Sequence, residues 1–148
     1  MITDVLFSCL IEVPRHSSKK NNKTIGFNRA TKRSFIMTKT TTKQVINVLL
    51  MRLIQEKSKQ QVKTIECDIN AEFIFYFPNS EYYTKKQVRS CKVADISNLY
   101  GGPEDVLQKC GIIRNDSLIC SHNGSIRLPI EGDKFYIYPV ILETRVIA

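Results

Sequence analysis

Four carboxylates punctuate one stretch of the chain: Asp95, Glu104, Asp105 and Asp116. Carboxylates that converge on one point can hold Mg²⁺, a hard cation that prefers oxygen ligands and keeps several of its waters. Such a site orients and activates a water and stabilises charge on a leaving oxygen, which is the chemistry of phosphodiester hydrolysis. The same residues have plain structural uses. Glu104 and Asp105 fall in the first turn of an expected helix, where the dipole favours acids, and Asp116 can open a turn. Spacing alone favours the structural use. Cys110, Cys120 and His122 form another conceivable ligand set, but close cysteine pairs are absent and each thiol sits in an apolar run. Buried free thiols are expected there.

Basic residues are distributed in a way that complements those acids. The 148-residue chain has a formal charge of +8, yet no Asp or Glu occurs between Glu12 and Glu56. Residues 13–55 carry +10, including Arg15, Lys19, Lys20, Lys23, Arg29, Lys32 and Arg33, and the remainder carries −2. A basic block of this kind neutralises phosphates by Coulomb attraction and counterion release, largely without regard to sequence. Its plain alternative is a solvated face; the complete absence of acids favours binding. With 43% hydrophobic and 24% charged residues, the composition excludes disordered, collagen-like and disulfide-scaffold chains. Five scattered cysteines without a C-x-x-C pair point to a reducing, intracellular compartment. No basic leader or membrane-length apolar run is visible.

The elements that must position these residues follow from periodicity. Val5–Val13 reads as a strand ended by Pro14, and Arg15–Thr24 as a mobile polar loop. Short extended pieces at 25–27 and 34–37 flank Asn28 and Arg29. Val45, Val48, Leu49, Arg52 and Leu53 mark one helical face over about Thr41–Lys57. Ile46, Leu50, Met51 and Ile54 widen it, so a second covered face, such as a dimer contact, fits. A long strand spans Val62–Phe77, with Ala71, Phe73, Phe75 and Phe77 on one side, and Pro78 ends it. Residues 79–91 read as a polar loop with Lys85, Lys86 and Arg89. Asp95 is placed to cap a short helical turn, Gly101 and Gly102 to interrupt it, Pro103 to restart a helix and Gly111 to stop it. Ser117–His122 and Ser125–Leu128 read as a hairpin turned at Asn123-Gly124. Phe135–Leu142 is the last strand, with Pro139 marking an edge or bulge. The result is a single α+β domain, a mixed sheet carrying two main helices. His16 reads as a polar loop residue; Phe27, Tyr82 and Tyr83 could stack on bases, although packing is their commoner use.

The stretch Ala94-Asp95-Ile96-Ser97-Asn98-Leu99, followed by Glu104 through Asp116, resembles the core signature of the RusA family of Holliday-junction resolvases. That signature has an Asp-x-Asp-Asn-Leu element, a helix with Asp-(apolar)-Leu, then Gly and an acidic pair before a strand. The resemblance extends more loosely over most of the chain. It implies a homodimeric, Mg²⁺-dependent endonuclease, with Mn²⁺ as a substitute, acting on four-way DNA junctions in recombination and repair. Residue by residue, it makes Asp95, Asn98 and Asp116 the catalytic set and Asp95 and Asp116 the metal ligands. Asp105 matches the helix acid, and Glu104 and Glu72 are the carboxylates left to supply a missing oxygen. Lys19, Lys20, Lys23, Arg29, Lys32 and Arg33 would contact phosphates. Three departures stand out: Ser97 replaces the second aspartate, Gly101 replaces a lysine that assists catalysis, and Asn115 replaces the first acid of the pair. A binding protein that has lost cleavage, or a basic RNA-binding protein, is the alternative.

Overall fold

Strict alternation of large apolar residues builds the middle of the molecule. The computed structural model describes residues 2–16, 23–38 and 40–145. In strand β5 (Ile69–Pro78), Ala71, Phe73, Phe75 and Phe77 are buried while Glu72, Ile74 and Tyr76 are half-exposed. Strand β8 (Phe135–Thr144) lies antiparallel beside it, from Ile69 opposite Glu143 to Tyr76 opposite Tyr136. On its other side β8 pairs with β1 (Ile2–Ser8) and β2 (Ile11–Val13). The far edge of β5 carries β6 (Ile119–Ser121) and β7 (Ile126–Ile130), both parallel to it, so the sheet is mixed.

Helix α1 (Thr40–Gln60) packs on β2 and on helix α4 (Gly101–Lys109). Its buried stripe is Val45, Leu49 and Leu53, each worth roughly 1.5–3 kcal/mol when removed from water. Met51 and Ile54 stay exposed at 63% and 50%. Two short helices, α2 (Asn79–Tyr82) and α3 (Ile96–Leu99), lie within the segment between β5 and α4. Strands β3 (Lys23–Asn28) and β4 (Arg33–Thr38) pair with each other in a separate two-stranded sheet.

Several sequence expectations are corrected. The first strand is two strands, because Cys9 lies beside Pro139, which has no N–H to continue the ladder; Cys9 N–H donates to the Pro139 carbonyl. Pro139 therefore lies inside the continuous central strand β8, opposite the break between β1 and β2, and not at a sheet edge. The expected strand from Val62 begins only at Ile69. Before it, a single parallel bridge joins Ile65 to Ile113. The pieces around Asn28 form a hairpin, in which the Asn28 carboxamide oxygen accepts from the N–H groups of Ala30 and Thr31. Gly101 and Gly102 lie inside the first turn of α4, where Pro103 removes an N–H that has no acceptor within the helix. Gly111, at φ +77°, follows the end of that helix as expected. Residues 79–91 hold α2 and a bridge between Tyr83 and Arg89.

Candidate functional site

The largest correction concerns Asn123-Gly124. Instead of reversing the chain, it breaks one line of strand into β6 and β7 along the same edge of β5. Asn70 causes the break. Fully buried, its Oδ1 accepts from Ser121 Oγ at 2.6 Å and Asn123 N at 2.7 Å, and its Nδ2 donates to the Asn123 carbonyl at 3.0 Å. These bonds replace sheet pairing with a side-chain cap on the turn. Gly124 is required there: its φ is +88°, and a Cβ would come within 2.9 Å of the Glu72 carboxyl group. Ser125 Oγ then accepts from Phe73 N and donates to the Ala71 carbonyl.

That turn presents His122 to the start of α4. His122 Nδ1 lies 2.9 Å from the Ala71 carbonyl, and Nε2 lies 2.7 Å from Glu104 Oε1. A carbonyl can only accept, so Nδ1 carries a proton, and Nε2 then meets a carboxylate. The geometry favours the doubly protonated imidazolium. Burial by itself pulls the His122 pKa down, but the hydrogen bonds to Glu104 and Ala71 and the Glu104 charge outweigh it, so the net shift is upward. Tyr100 stacks on the ring at 4.0 Å between centroids and 17° between planes, a cation–π arrangement.

Asp95 is exposed and occupies the N-cap position of α3, but its side chain makes no capping hydrogen bond. It shares an open cleft with Ser97, Ser125 and Arg127. The Arg127 guanidinium donates to the Ala94 carbonyl, which leaves its other N–H groups available. Asn98 lies in α3, its N–H bonded to the Asp95 carbonyl. Asp116 belongs to a different place: its N–H donates to Gln108 Oε1, one residue before the C-terminal end of α4. Asp95 precedes α4 and Asp116 sits by its end, and a nine-residue helix is roughly 13 Å long. Asp105 is half-buried in the first half of α4. Glu104 is held by His122.

Among the described residues, no group of three or more His, Cys, Asp or Glu side chains could hold a metal ion. One aspartate beside an arginine and two hydroxyls does not fit a cation that seeks six oxygen ligands. The thiols offer nothing further. Cys120 is exposed instead of buried, Cys110 is half-buried, and the Cys9 thiol is pushed up to about 12 by burial and by Glu56.

Of the basic candidates, Arg29, Lys32 and Arg33 are exposed at the β3–β4 turn, beside Phe27 at 60% exposure. Lys23 begins β3, whereas Lys19 and Lys20 lie outside the described residues. A mixed sheet with an interrupted parallel edge beside a Gly-Gly-Pro helix start, and a separate basic hairpin, the arm formed by β3 and β4, are therefore in place. The profile of a family described as Endodeoxyribonuclease RusA matches residues 14–136. The chain belongs to the RusA family. No curated protein matches it. The RusA match runs from the end of β2 to the start of β8 and includes the basic arm, α1, β5 and the whole acidic signature. Within this RusA-family chain, Ser97 is exposed at the cleft and Gly101 is buried in the helix start. The sequence does not single out Asn70 or Arg127, and it offers His122 only as a conceivable metal ligand beside Cys110 and Cys120, not as the partner of Glu104. The one available signal was a lone arginine within the otherwise apolar Ile126–Ile130 segment.

Proposed function

We propose that this RusA-family protein is an endodeoxyribonuclease of branched DNA, cutting four-way junctions during recombination and repair. The observation that carries this reading is the family match across both the basic arm and the acidic signature. Arg29, Lys32 and Arg33, with Lys19, Lys20 and Lys23, hold the phosphates of the arms, and Arg127 holds a phosphate oxygen at the cleft. Asp95, Asp116 and Asn98 are the residues whose loss abolishes cleavage. Two copies act together, with the exposed Met51 and Ile54 of α1 in their contact. Mg²⁺, or Mn²⁺, is the cofactor this reading calls for. The described residues do not by themselves assemble a donor set for that ion. The setting is intracellular, at the nucleoid.

A labelled four-way junction incubated with the protein in Mg²⁺ tests the reading against the Asp95→Asn and Asp116→Asn variants. Paired, symmetric nicks that either variant abolishes are the expected outcome. Ser97, Gly101 and the engagement of Glu104 by His122 favour a second reading, a junction-binding protein without cleavage. Tight junction binding with no nicks in Mg²⁺ or Mn²⁺ selects it. Stronger binding to structured RNA than to the junction overturns both. In a salt titration, Arg29→Ala with Lys32→Ala should reduce the slope of log affinity by about two.

A further inference from the structure

His16 is not the exposed loop residue its neighbours in sequence suggest. Its ring is wedged edge-on against Phe75, Phe77 and Phe135, with centroids 5.4, 4.5 and 5.3 Å away. Nε2 lies 2.8 Å from the Tyr76 carbonyl and so donates to it, which makes Nδ1 the acceptor of a neutral ring. That Nδ1 is buried and has no hydrogen-bond partner among the described residues. Buried acceptors left unmet are rare, because each forgoes the hydrogen bonds it had in water.

The ring also lines a cavity of about 590 Å³, a size suited to a small organic ligand. Phe77, Phe135 and Tyr83 supply aromatic wall, Ser80, Thr84 and Ser90 supply hydroxyls, and Arg15, Lys85 and Lys92 supply positive charge against the single carboxylate of Glu81. None of the three cations makes an ion pair among the described residues. An anionic group, a flat apolar body and an N–H donor are the complements of such a lining. We propose that this cavity takes up one nucleotide unit, its base against the aromatic wall with an N–H donated to His16 Nδ1 and its phosphate among Arg15, Lys85 and Lys92. The unit is either an unpaired nucleotide of a bound DNA strand or a free mononucleotide. Base–aromatic stacking and lysine–phosphate attraction serve both sources equally. The DNA source rests on the DNA-acting reading above.

Fluorescence anisotropy with a labelled duplex carrying one unpaired adenosine, the same duplex fully paired, and a version with an abasic residue at the bulge separates the cases. Thermal shift with dAMP provides the free-nucleotide arm. The bulged duplex is expected to bind at least about tenfold tighter than the paired one, the scale of one hydrogen bond with its stacking. That gain disappears with the abasic bulge and in His16→Phe, and returns in part in His16→Asn, which restores an acceptor. Lys85→Ala with Lys92→Ala removes it too, and carries the test if His16→Phe does not fold. Equal gain in the folded variants and with the abasic bulge overturns the cavity assignment. DNA bound without any gain, and no shift with dAMP, overturns it while leaving the DNA-acting reading intact. A His16-dependent shift with dAMP but no DNA binding supports the cavity and sinks the DNA-acting reading.

Discussion

The two histidines of this chain sit in opposite electrostatic settings. His16 is enclosed by three phenylalanine rings and one carbonyl, and burial, only partly offset by the Tyr76 hydrogen bond, takes its pKa down to about 4. His122 lies between a carbonyl and a carboxylate under a tyrosine ring, and its pKa is shifted up. Burial pushes both in the same direction. The carboxylate decides the outcome, since desolvation alone removes the charge and a buried anion restores it. The chain therefore holds one histidine kept neutral and one whose protonated form is favoured, near Tyr76 and near Ala71 of β5.

The difference is sharpest in its dependence on pH, where the two sites have opposite signs. Below about 6.5, the ordinary value, the unfolded chain protonates His16 while the folded one resists until about 4. Folded stability contributed by this site is therefore lost as pH falls through that window, by about 3 kcal/mol at 1.36 kcal/mol per unit. Urea denaturation from pH 7 to 4 should show that loss in the native chain. In His16→Phe it should shrink to what the carboxylates and His122 contribute, and an unchanged pH profile would break the contrast. Next in size is Asn70→Ala, which strands Ser121 and both backbone groups of Asn123. It should cost about 2 kcal/mol in the same assay and release the turn that carries His122. If His122 keeps its raised pKa in that variant, Asn70 does not position it.

The smallest effect belongs to the ion pair itself. His122 has its pKa raised in the folded state, so its contribution is complete below about 6.5 and is lost as pH rises through the folded value. Glu104→Gln should return the His122 pKa toward or below its ordinary value by NMR titration and cost about 1 kcal/mol at pH 6 and less at pH 8. A pKa that stays high would mean that the Ala71 carbonyl and the Tyr100 ring suffice.

Periodicity made the framework legible. The Val45, Leu49, Leu53 stripe and the alternation from Ala71 to Phe77 are local signals, and α1 and β5 form where those signals lie. Asn123-Gly124 shows why the rest was hidden. A turn signal specifies a local bend, but whether the next strand pairs with its predecessor or with β5 depends on Asn70, more than fifty residues earlier. His16 was hidden for the same reason: its neighbours in sequence are polar, and its neighbours in space come from β5 and β8. The acidic signature was legible as a family resemblance. Its geometry was not, because the positions of Asp95 and Asp116 are set by the two ends of α4 and by Gln108.

The placement of β8 between β1 and β5 has a consequence for how the protein is made. β8 is the last of the described strands in chain order, yet it is the one that both neighbours need to complete their ladders. Synthesis at about 5–20 residues per second brings β5 out of the ribosome several seconds before its partner. During that interval the edge of β5 that pairs with β8 has no ladder partner, an open template for another chain. The newborn chain is thus at its most aggregation-prone until Phe135–Thr144 emerges, and slow codons in the β6–β7 segment would prolong that exposure.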